Sequence, residues 1–226
     1  MEALEDNADE QRRKEEEEEQ STITSSKLTI TDDFMLAEYK NISTAHFELH
    51  TAFRQMFRFY LGIVAVPVTV FAFAYRDATV SLETLPKVFA YILLLTSIIG
   101  LLMFLSLVNI RFDIIFYTRT VNGTRNYFMS RAGSGLAKFL LLPGDMRYPT
   151  YKETYKAYWW QFLMIAIINS IYLVIASLRL SGRWCVAIPL GILFFCLHAL
   201  AYYKLADRRD GKDQKRLQEI GLENVR

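Results

Sequence analysis

The chain is short of the residues that build catalytic, metal and redox sites. Its 226 residues include only two cysteines and three histidines. Cys185 and Cys196 form no CxxC or Cys/His cluster, which excludes a zinc module and a disulfide framework. Both are expected as buried, reduced thiols. No HExxH, Ser/His/Asp set or cofactor signature occurs. Gly133-Ser134-Gly135-Leu136-Ala137-Lys138 lacks the Gly-Lys-Ser/Thr ending of a phosphate loop and follows a helix rather than a strand, so it is not one. The chain is therefore read as a non-enzyme with no metal and no cofactor. A basic start followed by an early apolar stretch is also lacking, which excludes a cleavable signal peptide.

Helix breakers are scarce at the front of the chain. The first glycine is Gly62 and the first proline Pro67. Charge is scarce in another way: four stretches of membrane-spanning length carry none. They are residues 59–75, 88–110, 157–178 and 184–203. About 20 apolar residues of helix cross a hydrocarbon core roughly 30 Å thick. The composition, 52% hydrophobic and 14% aromatic, is thus bunched into spans rather than spread over an amphipathic soluble fold.

What charge there is sits asymmetrically. Residues 1–20 hold ten acids and three bases, or −7, so the rest of a chain of net charge +2 carries +9. The acidic run Glu15 to Glu19 cannot bury a core, and residues 1–30 are expected as a solvated, disordered tail. Bases concentrate in residues 111–156 and 204–226, whereas the alternate loops hold only Arg76 and Lys87, then Arg179 and Arg183. The positive-inside rule then puts both termini in the cytoplasm, in a plasma (inner) membrane or an internal one. Anionic inner-leaflet lipids are the expected contact of these bases, rather than nucleic acid.

Two spans are expected to run on past the membrane. Thr31-Asp32-Asp33 offers a helix start. From there Met35, Tyr39, Ile42, His46, Leu49, Phe53, Met56 and Tyr60 recur at alternating spacings of four and three, a heptad seam. After the second span, Ile114, Tyr117, Val121, Thr124 and Phe128 repeat similarly and end at Arg131-Ala132-Gly133. The reading is an all-α integral membrane protein of four transmembrane helices arranged as two hairpins. Helices 1 and 2 extend, over residues 31–58 and 111–130, into a cytoplasmic antiparallel stalk whose seam is Ile42, His46, Leu49 and Phe53 against Ile114, Tyr117 and Val121. Residues 131–156 form a cytoplasmic loop in which 136–142 is an interfacial segment, and 204–226 form a basic tail. The layout of residues 32–130, a long helix, a membrane hairpin and a second long helix, is similar to the small two-span effector modules of bacterial antiphage systems. The likeness is one of layout, with no motif residue behind it.

Candidate functional residues are few. No carboxylate lies inside a span, which weakens a proton- or sodium-coupled carrier. Serine and threonine can bond their own helix, but Asn109, Asn169 and His198 need partners across helices. Arg111 and Asp113 lie just past the second span and form an inner-interface pair, meeting a neighbouring helix or headgroups. The leading expectation is a structural or interaction protein, a homo-oligomer or the holder of a cytoplasmic partner. The competing one is a small channel or transporter, membrane-permeabilising effectors included, with Asn109, Asn169 and His198 along its path.

Overall fold

The computed structural model describes the backbone of residues 2–74, 86–132, 149–152 and 156–219. Four helices account for nearly all of it: α1 (Glu2–Ala74), α2 (Lys87–Ala132), α3 (Lys156–Ser181) and α4 (Trp184–Glu219). Each is long and apolar enough to cross a membrane. The apolar segment expected at 136–142 lies outside the described residues.

The helix lengths follow from the missing breakers. α1 begins at Glu2 rather than at Asp32, so the backbone is helical through the acidic head expected as an irregular tail. Glu, Gln, Arg and Lys are good helix formers, and nothing before Gly62 stops the helix. α2 passes through Gly123 to Ala132. α4 does not end near Tyr203 but continues through the basic tail to Glu219, since Gly211 alone costs only about 1 kcal/mol. α3 stops at Ser181, where Gly182 takes φ of 65° and its N–H caps the Leu178 carbonyl at 2.8 Å. Glycine reaches that left-handed conformation without a Cβ penalty.

α2 packs against α1, α3 and α4, and α3 packs against α4. Contacts between α1 and α2 run in opposite directions along the two helices, from Phe71 with Phe89, through His46 with Thr118, to Asp32 with Tyr127. Aromatic rings tie the core together edge to face. Phe53 of α1 meets Tyr158 and Phe162 of α3, Phe104 of α2 meets Phe162, and Phe112 of α2 meets Tyr151. Such pairs add about 0.5–1.5 kcal/mol each beyond area burial. Pro67 sits inside α1, where it removes one helical donor and loosens the turn before it. In that turn the Val64 carbonyl accepts the Tyr172 hydroxyl at 2.6 Å. Both cysteines are exposed on α4, which corrects the expectation that they are buried: α2 and α3 cover one face of that helix, and the thiols lie on the other.

Candidate functional site

Asn169 on α3 is fully buried and touches all four helices. Its Oδ1 accepts the Tyr60 hydroxyl of α1 at 3.1 Å. Its backbone carbonyl accepts the Ser97 hydroxyl of α2 at 3.1 Å. Its Nδ2 donates to His198 Nε2 of α4 at 3.2 Å. The histidine direction is fixed by the other ring nitrogen, because Nδ1 faces the Phe194 carbonyl at 2.8 Å and must donate to it. His198 is therefore held as a neutral ring, with its acceptor filled by the amide. Gly100 on α2 makes room: a Cβ there would stand 2.1 Å from Asn169 Oδ1. Thr96, Ser170 and Thr69 bond carbonyls of their own helix instead.

The three intramembrane polar candidates thus divide. Asn169 and His198 come together, while Asn109 is exposed near the C-terminal end of the second uncharged stretch. Each side-chain nitrogen and oxygen of the joined pair has a partner on the helices themselves. The arrangement can hold four helices in register.

A second polar cluster lies one helix extension away. Arg119 of α2 bonds Asp213 of α4 at 3.0 Å and Asp210 at 3.5 Å. Its Nε donates to the Pro149 carbonyl at 2.9 Å, and its guanidinium lies 4.4 Å from the Tyr151 ring centroid. Tyr151 is itself buried, donates its hydroxyl to Asp213 at 2.7 Å and offers its carbonyl to Tyr202 at 3.0 Å. Burial, and then the Asp213 carboxylate, push the Tyr151 phenol well above its ordinary pKa. Asp207 adds an exposed pair with Lys152 at 2.7 Å. The acids at 207, 210 and 213 line one face of α4 and meet α2 and the 149–152 segment. The bases Lys204, Arg208, Lys212 and Lys215 lie exposed.

Arg111 and Asp113, two apart on a helix, point to different neighbours. Asp113 pairs with Arg209 of α4 at 3.3 Å, half exposed. Arg111 is buried and stacks 4.2 Å over the Tyr158 ring of α3. The seam residues fall on the covered side of their helices: Ile42, Phe53, Ile114 and Val121 are buried, and His46, Leu49 and Tyr117 half-buried. Where α1, α2 and α4 run alongside one another they frame an open groove of about 660 Å³. Leu49, Phe116 and Tyr117 form its apolar part and Glu48, Arg209 and Arg216 its charged part.

No group of three or more metal-ligating side chains occurs among the described residues. No protein-family model matches the chain, and neither the curated proteins nor the solved structures contain a significant match to it. Its function has to be read from its own geometry.

Two sets of residues escaped the sequence. The Arg119–Asp213–Tyr151 cluster joins positions from a helix, a tail and a loop, with hydrogen bonds across 30, 62 and 94 residues and no spacing to connect them. A signal was present in the tail, where Asp207, Asp210 and Asp213 recur every three residues among bases, and it marks a helix face with its own partner. The other set is His46 with His50. His46 was read as the polar member of an apolar seam, but His50, four residues on, shares its face.

Proposed function

We propose that this chain is a multi-pass membrane protein with both termini in the cytoplasm, whose role is assembly rather than transport or catalysis. The transmembrane bundle is the anchor. α1, α2 and α4 continue past the membrane as a cytoplasmic stalk, and the stalk is the surface that meets a soluble partner or another copy of the chain. One observation carries this reading: Arg119 binds two aspartates of α4 while holding the loop segment through Pro149 and Tyr151. Bases needed only for topology or lipid contact would not have to be locked into a packed polar core outside the spans.

The mutual pairing of Asn169 and His198 supports the same reading. A transport path through a single four-helix bundle needs polar groups facing a lumen, and these face one another. The exposed bases of α4 nearest the span, Lys204 and Arg208, suit contact with anionic inner-leaflet lipid, worth about 1 kcal/mol each.

The test uses the full chain with Cys185 and Cys196, both exposed, replaced by serine. Cysteines introduced at Thr84 and Gly182 should label from outside intact cells, and one at Ser134 should not; the reverse pattern sinks the orientation. In liposomes, ion and small-solute flux should stay at the level of empty vesicles. In nanodiscs, Leu49→Asp should expose the cytoplasmic region to protease and change the oligomer or partner-bound size, while Glu48→Lys should not. Flux that survives Leu49→Asp would replace assembly by conduction.

A further inference from the structure

His46 and His50 occupy one face of α1, and their Nε2 atoms lie 3.1 Å apart. Two neutral imidazoles can bond in that way only if one ring donates and the other accepts. Their outer partners decide which. The Thr118 hydroxyl of α2 gives its proton to the Ile114 carbonyl at 2.8 Å. Towards His46 Nδ1, 3.5 Å away, it can only accept. His46 therefore carries its proton on Nδ1, and its Nε2 is a bare lone pair. His50 must then donate through Nε2, which leaves its Nδ1 to accept the Tyr158 hydroxyl of α3 at 2.5 Å. The result is a one-directional chain across three helices, from Tyr158 through His50 and His46 to Thr118 and the Ile114 carbonyl. Both nitrogens of each ring are used, provided both rings are neutral.

We infer that this chain is an acid-sensitive joint, which fastens α1 to α2 and α3 when both histidines are neutral and releases it when they are protonated. One added proton can be placed at His50 Nδ1, if Tyr158 turns its O–H away and accepts instead. A second proton has no place, because both Nε2 atoms would then be donors facing each other. The charged neighbours act in the same direction. Arg54 on α1 and Arg111 and Arg125 on α2 all bring positive charge to the pair, and no described carboxylate forms an ion pair with either ring. Burial is the largest cause that holds His46 below its ordinary pKa and lowers His50 to about 4. For His50 the neighbouring His46 comes next, and then Arg111 and Arg54. For His46 a bond to the Ile114 carbonyl comes next and opposes the shift, followed by Arg111 and Arg125, which add to it. The sign follows. A histidine with a lowered folded pKa costs nothing above pH 6.5, where the unfolded ring is also neutral. Between pH 6.5 and about 4 the unfolded or detached state binds more protons, so the joint weakens as the solution is acidified.

The experiment uses the full chain in nanodiscs, with Cys185 and Cys196 replaced by serine and spin labels at the exposed positions Lys40 and Asn126. From pH 7.5 to 4.5 the interlabel distance should lengthen and broaden reversibly. In His46→Gln/His50→Gln it should keep its neutral value throughout, since glutamine bonds without titrating. Imidazole nitrogen spectra at pH 7.5 should show His46 protonated at Nδ1 and His50 at Nε2, each ring gaining its second proton over the range in which the distance moves. A wild-type distance indifferent to pH overturns the inference. So does an equal response in the double glutamine variant, which would assign the change to carboxylates such as Asp113. If the double variant is splayed already at pH 7.5, the wild-type spectra decide, and rings that titrate away from the distance change refute the joint.

Discussion

The two polar clusters do similar work by opposite means. Around Asn169 the partners are all neutral, the site is sealed, and each of the four helices contributes one group. Around Arg119 the partners are charged, the side chains of Arg119 and Asp213 retain 15% and 17% exposure, and a loop segment takes a helix's place. On the proposed topology the difference reflects solvent. In a hydrocarbon span an ion pair must bear the desolvation of two charges, while an amide can bridge a hydroxyl and an imidazole without any. Past the span, water lowers that cost, and one guanidinium can collect two carboxylates and a carbonyl that α3, ending before this level, cannot reach.

Four substitutions test this contrast. The largest effect is expected at the charged cluster. Arg119→Ala leaves Asp210 and the Pro149 carbonyl without their donor and Asp213 with the Tyr151 hydroxyl alone, and should cost about 3 kcal/mol in reversible unfolding in bicelles. It should also make the segment around Tyr151 sensitive to protease. Next comes the neutral cluster: Asn169→Leu strands His198 Nε2, leaves the Tyr60 hydroxyl only the Ile165 carbonyl at 3.4 Å, and should cost about 2 kcal/mol, near one per interhelical bond. The two should differ in salt, with the gap between wild type and Arg119→Ala narrowing from 0.05 to 0.5 M and that for Asn169→Leu unchanged. Equal salt dependence would erase the distinction.

Smaller still, Gly100→Ala puts a methyl group where Asn169 Oδ1 now stands and should cost about 1–2 kcal/mol by displacing the amide. That loss should largely disappear in the Asn169→Leu background, if the amide rather than general crowding is responsible; a double-mutant cycle reads it. Smallest is Asp113→Asn. Its partner Arg209 is 40% exposed and Asp113 itself 43%, so the change should lie within about 0.5 kcal/mol. A loss comparable to that of Arg119→Ala would mean that the whole inner face acts as one network.

Much of the fold was legible in the sequence because its signals are local. Uncharged runs of membrane length, the absence of glycine and proline before Gly62, and the alternation of seam positions from Met35 to Tyr60 all depend on residues within a few turns of one another. The helical state of residues 2–30 and 204–219 was the exception. Charged composition says that a segment buries nothing, yet the same glutamates, lysines and arginines favour helix once a neighbouring helix has nucleated it.

The site was less legible. Asn169 and His198 stood out because unpaired amides and imidazoles are costly in lipid, but the sequence grouped Asn109 with them, and only packing separates a face towards α3 from an exposed one. Tyr151 looked like an ordinary loop tyrosine, and nothing near it names Asp213 or Arg119 as a partner. By itself the sequence determined four helices long and apolar enough to cross a membrane, since each follows from hydropathy and backbone propensity. Only the tertiary structure decided which polar groups meet, because hydrogen bonds and ion pairs reach about 3 Å, and that proximity is set by how four long helices are rotated and staggered against one another.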